Sequence, residues 1–364
     1  MRSVTVSTVC FGLPDPGEDT SHITKSSNLR KARSFIDEAA TRRSDLVVLP
    51  ELFATKHTGA RLQDMGEPIP EGEISQALAA AACEHGLYVA GCMVECLEGC
   101  LYNTVALFGR RGELAGKYRK VHLGPGEDEV CRCGRTYPVF KTDFGTIGAV
   151  VCYDLLFPEA VRCLALAGAE VILWPTMFSE PRAHFTGILM RARAIENQVW
   201  LVSSSYSQPA LGSPSCHIGR SAIVDWDGMV LADTGRREAI STASVDLDER
   251  AGRGIAGFAY RLLEDRGPST YQALAEGSDA LRYRGQIRVQ SALQSPESSA
   301  PRHQGVGLGT IAEPARSSSL PAARALGMAR KRRVEMECPR HGESASQSKA
   351  GTALRRRNGS RWYP

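Results

Sequence analysis

The first 290 residues predict a mixed α/β protein with one sheet in each half of the chain, the two sheets packed face to face and the helices outside. Three observations carry that expectation. Apolar strand-like runs alternate with stretches of helical periodicity, the second half repeats the element order of the first, and short runs such as "LVVL" are apolar at every position.

The elements follow in order. "SVTVSTVCF" is a first strand, and "SNLRKARSFIDEAATRRS" places Leu29, Ala32, Phe35, Ile36, Ala39 and Ala40 at helical spacing. "DLVVLPEL" is a short buried strand, which completes a β-α-β unit. "EISQALAAAACEHG" then reads as a helix, "LYVAGCMVEC" and "LYNTVALFG" as strands around a turn, and "RRGELAGKYRKVHL" as a turn leading into another strand. The second half opens near Thr136. "YPVFKTDFGTIGAVVC" forms a hairpin, "PEAVRCLALAGA" a helix with Pro in its first turn, and "EVILWPT" a strand. "GILMRARAIENQ" is a helix, "VWLVSSSY" a strand, and "SAIVDWDGMVLADTG" a hairpin turning at Asp227-Gly228.

Bulk properties narrow the class. With 364 residues, 43% hydrophobic and 23% charged, the chain is long enough for a sizeable core. No apolar run approaches the roughly 18 to 20 residues of a membrane helix, and the opening alternates like a strand before stopping at Pro14 and Asp15, unlike a signal peptide. Eleven cysteines, odd in number and scattered, suggest reduced thiols in the cytoplasm and not a disulfide framework. Their spacing also argues against metal: Cys131 with Cys133, and Cys92, Cys96 and Cys100, lack the paired ligands a zinc site needs.

Charge sets the C-terminus apart. Residues 291–364 hold 13 Lys/Arg against 5 Asp/Glu, while residues 1–290 carry 31 against 35. Rich in Ser, Pro, Gly, Ala and Arg and without hydrophobic periodicity, 291–364 reads as a basic, disordered tail beside a folded domain of 1–290. Its clusters at Arg330–Arg333 and Arg355–Arg357 suit a localisation signal, contact with nucleic acid or acidic surfaces, or nothing beyond solvation.

Reactive side chains in α/β sheets gather at the carboxyl ends of strands. Glu51 closes "DLVVLPE", Lys120 follows "GKYR", and Cys152 closes "GAVVC" just before a helix. Singly, each has a structural explanation: a helix-entry carboxylate, a solvated charge, a small core residue. Together they make chemistry. A thiol with its ordinary pKa near ~8.5 is only a few per cent thiolate at neutral pH, so it needs a base, for which Glu51 is the candidate. Lys120 is a fixed cation for thiolate and oxyanion, and the Tyr153 backbone N–H at the turn is a second oxyanion donor.

These motifs resemble those of the nitrilase superfamily, the carbon–nitrogen hydrolases with a Glu-Lys-Cys triad. "DLVVLPELFAT", "GKYRKVHLGPGE" and "FGTIGAVVCYDLLFPE" are similar to its three segments, and "NLRKA", "YNTVALF", "GAEVILWPT", "RARAIENQ", "DWDGMVLA" and "ASVDLDE" follow in the family's order. The resemblance covers roughly residues 4–274. It implies a four-layer α-β-β-α sandwich, no cofactor or metal, homo-oligomers of two or more copies, and a small-molecule amide substrate cleaved through a Cys thioester. "CYD" resembles amidase-like branches, whereas the true nitrilases have Trp-Glu after the Cys. N-carbamoyl compounds and nitriles remain alternative substrates on the same triad, and an inactive scaffold is the alternative of another class. The resemblance also implies a second glutamate that positions substrate; Glu127 matches best and Glu129 competes. Ser205 stands roughly where many relatives have Asn, and His217 reads as a solvated loop histidine outside the catalytic set.

Overall fold

The computed structural model describes residues 1–14, 18–178, 183–208, 217–249 and 262–276. The boundary at 290, the tail 291–364 and parts of the loops 177–185 and 207–216 lie outside these residues. In chain order the elements are β1 (Ser3–Phe11), α1 (Lys25–Thr41), β2 (Leu46–Val48), α2 (Glu73–His85), β3 (Tyr88–Leu97), β4 (Cys100–Phe108), β5 (Leu114–Arg119), β6 (Val139–Lys141) and β7 (Thr146–Ala149). A 3₁₀ turn (Cys152–Leu156) leads to α3 (Pro158–Leu166), β8 (Val171–Pro175), α4 (Ala183–Asn197), β9 (Trp200–Tyr206), β10 (Ala222–Val224), β11 (Val230–Asp233) and β12 (Ala239–Asp246). No helix among the described residues is long and apolar enough to cross a membrane.

Strand alternation produces the layers. In β2, Leu46 and Val48 point into a core shared with Ile147 and Ala149 of β7 and Val171 and Leu173 of β8, so this apolar layer lies between two sheets. The intervening Val47 faces the other way, packing with Ala32, Phe35, Ile36 and Ala39 of α1 and with Leu78 of α2. On the far side, Ile172 and Trp174 of β8 pack with Val161 and Leu164 of α3 and Ala194 of α4. The result is the expected α-β-β-α sandwich. One sheet runs β5-β4-β3-β2-β1 and the other β9-β8-β7-β6, meeting where Cys10 and Phe11 pair with Ser205 and Tyr206.

Local chemistry sets the boundaries. Thr24 caps α1, accepting from the Ser27 N–H at 3.1 Å while the Ser27 hydroxyl accepts from the Thr24 N–H at 2.9 Å. Gly86 ends α2 in the left-handed region at φ +63°, where a Cβ would be strained. Pro158 opens α3, its missing N–H harmless in a first turn. Two features differ from the sequence reading. The "DLVVLPEL" strand pairs only over Leu46–Val48, after which the chain leaves the ladder, and Ala239–Asp246 adds β12 antiparallel to β1. Half-exposed and without clean alternation, β12 carries too weak a pattern to be recognised from the sequence.

A buried charge cluster ties the first sheet. Glu95 of β3 is 1% exposed and receives Lys117 Nζ at 2.6 Å, two Arg119 nitrogens at 2.7 Å and the Thr104 hydroxyl at 2.9 Å. Burial alone would raise its pKa, but Arg119 and Lys117 hold it down at about 2. A folded pKa below the unfolded value near ~4.3 gives stability that is present above pH ~4 and lost as pH falls toward 2. Glu95→Gln is therefore expected to lower unfolding stability by about 2 kcal/mol at pH 7, discounted for the partly exposed partners. Urea midpoints that differ equally at pH 7 and pH 2.5 would contradict this linkage.

Candidate active site

Three strand ends bring the sequence-selected residues together. Glu51 lies three residues past β2, Lys120 one past β5, and Cys152 three past β7. Glu51 and Lys120 are buried, 1% and 2% exposed, while Cys152 is half-buried. Lys120 Nζ donates to Glu51 Oε1 at 2.9 Å and to Glu127 Oε2 at 2.7 Å. Asn103 of β4 bridges the same carboxylates, its Nδ2 donating at 2.8 Å to Glu51 Oε1 and at 2.8 Å to Glu127 Oε1. Glu51 Oε2 is buried and has no hydrogen-bond partner among the described residues. Glu127 also accepts from the Gly124 N–H at 2.8 Å, whereas Glu129 is exposed; the lysine therefore meets Glu127.

Electrostatics follow from this geometry. Burial would depress the Lys120 ammonium, but Glu51 and Glu127, with the Cys152 sulfur, hold its pKa well above the ordinary value. Burial and then the Glu51 charge push the Cys152 thiol up, while Lys120, the Met177 N–H and the Thr176 hydroxyl oppose the rise. The resting group is thus a thiol whose ionised form has a cation and two hydrogen-bond donors prepared for it.

Cys152 sits at φ +46°, in the left-handed region that costs an ordinary residue about 1–3 kcal/mol. Neighbours hold it there. Trp174 Nε1 donates to the Cys152 carbonyl at 3.0 Å, and Asp154, fully buried, accepts from the Val151 N–H at 2.9 Å. Asp154 further accepts from the Tyr118 hydroxyl at 2.7 Å and from the His122 N–H and Nδ1 at 2.8 Å each. Tyr153, whose N–H lies in the first 3₁₀ turn, sets its ring edge-on to Phe157 with centroids 5.2 Å apart.

Other expectations need revision. His217 is not solvated: it is 6% exposed, its Nδ1 donates to the Met177 carbonyl at 3.0 Å, and its ring lies 5.2 Å from that of Tyr206. A single loop histidine gives no sequence signal of the aromatic and carbonyl partners that bury it. Ser205 is buried in β9, and its Oγ lacks a hydrogen-bond partner among the described residues. Asn103 and the anchoring role of Asp154 went unrecognised; the available signal was an amide and a carboxylate set within apolar runs. Among the described residues no group of three or more His, Cys, Asp or Glu side chains is arranged to hold a metal ion.

Comparison with known proteins identifies the family. The family model for carbon–nitrogen hydrolase matches residues 19–252. The chain is 36% identical over 241 residues to the omega-amidase NIT2 of Homo sapiens, covering 62% of this chain and 86% of that protein. The Saccharomyces cerevisiae Nit3 structure, a member of branch 10 of the nitrilase superfamily, matches with TM-score 0.60 and 27% identity, covering 76% of this chain and 96% of Nit3. An amidase from Nesterenkonia AN1 shares the fold with TM-score 0.63 at 22% identity, covering 74% and 97%. The chain belongs to the carbon–nitrogen hydrolase family, of the nitrilase superfamily, and is a hydrolase of amide C–N bonds other than peptide bonds.

Proposed function

We propose that Glu51, Lys120 and Cys152 hydrolyse a small, terminal amide by acyl transfer through sulfur. One observation carries this reading: Lys120 and Asn103 occupy Glu51 Oε1 and leave Oε2 without a partner among the described residues, a lone pair suited to accept the thiol proton. The thiolate attacks the amide carbonyl, and Lys120 with the Tyr153 N–H stabilises the oxyanion. Glu51 returns its proton to the nitrogen, ammonia leaves, and a thioester remains. Water activated by Glu51 then releases the carboxylic acid and the thiol. Glu127, bonded to both Lys120 and Asn103, positions the lysine and the substrate.

The amide reading draws on the omega-amidase name of the 36%-identical relative and on Tyr153-Asp154 following the cysteine. The test is kcat/KM for one acyl group presented as primary amide, nitrile and N-carbamoyl compound. The amide is expected to be preferred by at least tenfold. Preference for the nitrile would overturn the reading; preference for the carbamoyl compound, with ammonia and carbon dioxide both released, would replace it.

Assembly and location belong to the same proposal. Ile188 of α4 and Met229, Val230 and Leu231 are 65%, 58%, 47% and 44% exposed, an apolar surface suited to a homo-oligomer. The nine described cysteines are all free, as in a reducing cytoplasm. The 291–364 segment, with its excess of 13 basic over 5 acidic residues, we assign as a basic tail able to contact nucleic acid or acidic surfaces.

A further inference from the structure

Behind the catalytic lysine, on the other face of its strand, lies a pocket that the reaction does not use. Side chains alternate along β5 and just beyond it: Tyr118 enters the core between the sheets and Lys120 the catalytic cluster, whereas Lys117 and Arg119 project from the opposite face. There they line a cavity of about 340 Å³ together with Tyr102, Cys133, Arg135 and Thr136. The loop 133–136 can approach so closely because residue 134 is glycine. A Cβ at Gly134 would stand 2.1 Å from the Arg119 carbonyl oxygen, and the Gly134 N–H donates to the Lys120 carbonyl at 2.7 Å.

The lining carries three cations and no acid. Glu95, buried beneath them, takes one Lys117 Nζ contact and the Nε and Nη2 of Arg119, so three positive charges against one carboxylate leave a balance of two. Donors remain unused. Arg119 Nη1 and the guanidinium nitrogens of Arg135 have no hydrogen-bond or ion-pair partner among the described residues. Arg119 is also oriented in advance: Glu95 fixes one edge of its guanidinium, and the Tyr102 ring lies 4.1 Å from its central carbon.

We propose that the Lys117, Arg119 and Arg135 pocket binds a phosphate group, free or carried on a small organic molecule, at a site separate from the catalytic centre. A phosphate near neutral pH carries close to two negative charges and several strong acceptor oxygens, which matches the charge balance and the planar donor forks of the two arginines. The Thr136 hydroxyl adds an uncharged donor. The cavity falls at the small end of the roughly 300–1,000 Å³ range of small-molecule sites, which leaves room for a short organic body beside the phosphate.

The experiment uses Cys133, an exposed thiol in the lining, as the reporter. The full chain is alkylated with iodoacetamide at constant ionic strength, in rising inorganic phosphate or glycerol 3-phosphate, and each cysteine is followed by mass spectrometry of its peptide. Cys83 and Cys163, exposed and outside this pocket, are the controls. Alkylation of wild-type Cys133 is expected to slow at least fivefold at saturation while the controls stay constant, and the probe that half-protects at the lower concentration identifies free phosphate or ester as the better ligand. Arg135→Ala should raise the half-protecting concentration by about 10- to 100-fold, the loss of one charged hydrogen-bond donor set, and Arg135→Lys should raise it less. Because Arg135 is exposed, the urea midpoint of Arg135→Ala without phosphate should match wild type. Three results overturn the site: no protection of wild-type Cys133 by either probe, equal protection in Arg135→Ala, or equal slowing at Cys83 and Cys163.

Discussion

Cys152→Ala is expected to abolish amide hydrolysis, lowering kcat by at least ~10⁴-fold, with little change in unfolding stability. The magnitude follows from the role: without sulfur no thioester forms, and the oxyanion donors alone retain only a small part of the acceleration. Stability changes little because the side chain is half-buried and deleting one atom leaves a modest cavity, worth on the order of 1 kcal/mol. Alanine also keeps the Lys120, Glu51 and Glu127 contacts, none of which uses the sulfur as a hydrogen-bond partner. Single-turnover assays should show no acyl-enzyme by mass spectrometry. A variant that still released ammonia near the wild-type rate would remove Cys152 from the mechanism.

The second large effect is on folding. Asp154→Ala removes a fully buried acceptor for four donors, leaving the Tyr118 hydroxyl and the Val151 N–H buried and unpaired. A cost of about 3–5 kcal/mol is expected in denaturant unfolding. Activity should fall as well, since the same carboxylate spans Val151 and the turn that holds Cys152 at φ +46°. Asp154→Asn keeps one carbonyl acceptor and should recover part of the stability. Wild-type unfolding curves for Asp154→Ala would show that water or neighbouring groups replace its contacts.

These two residues also mark where sequence is legible. Glu51 and Cys152 could be found because each closes an apolar run and Lys120 because it follows a strand, and strand ends are where a sheet can present a polar group. The layers were legible for the same reason: full burial of β2, β7 and β8 leaves uninterrupted apolar stretches. Asn103 lies inside β4, where its neighbours report burial and not partnership, and its two carboxylates are 52 and 24 residues away.

The clasp of Lys120 between two carboxylates has a consequence for the whole reaction. Before proton transfer, the thiol, two carboxylates and one ammonium carry one net negative charge. Afterwards the thiolate, protonated Glu51, Glu127 and Lys120 carry the same total. The proton moves inside a closed set, so the surrounding dipoles meet a redistribution and never an added ion, and one fixed environment serves both ends of the step. The site can therefore generate a strong nucleophile without drawing a counter-ion from solvent.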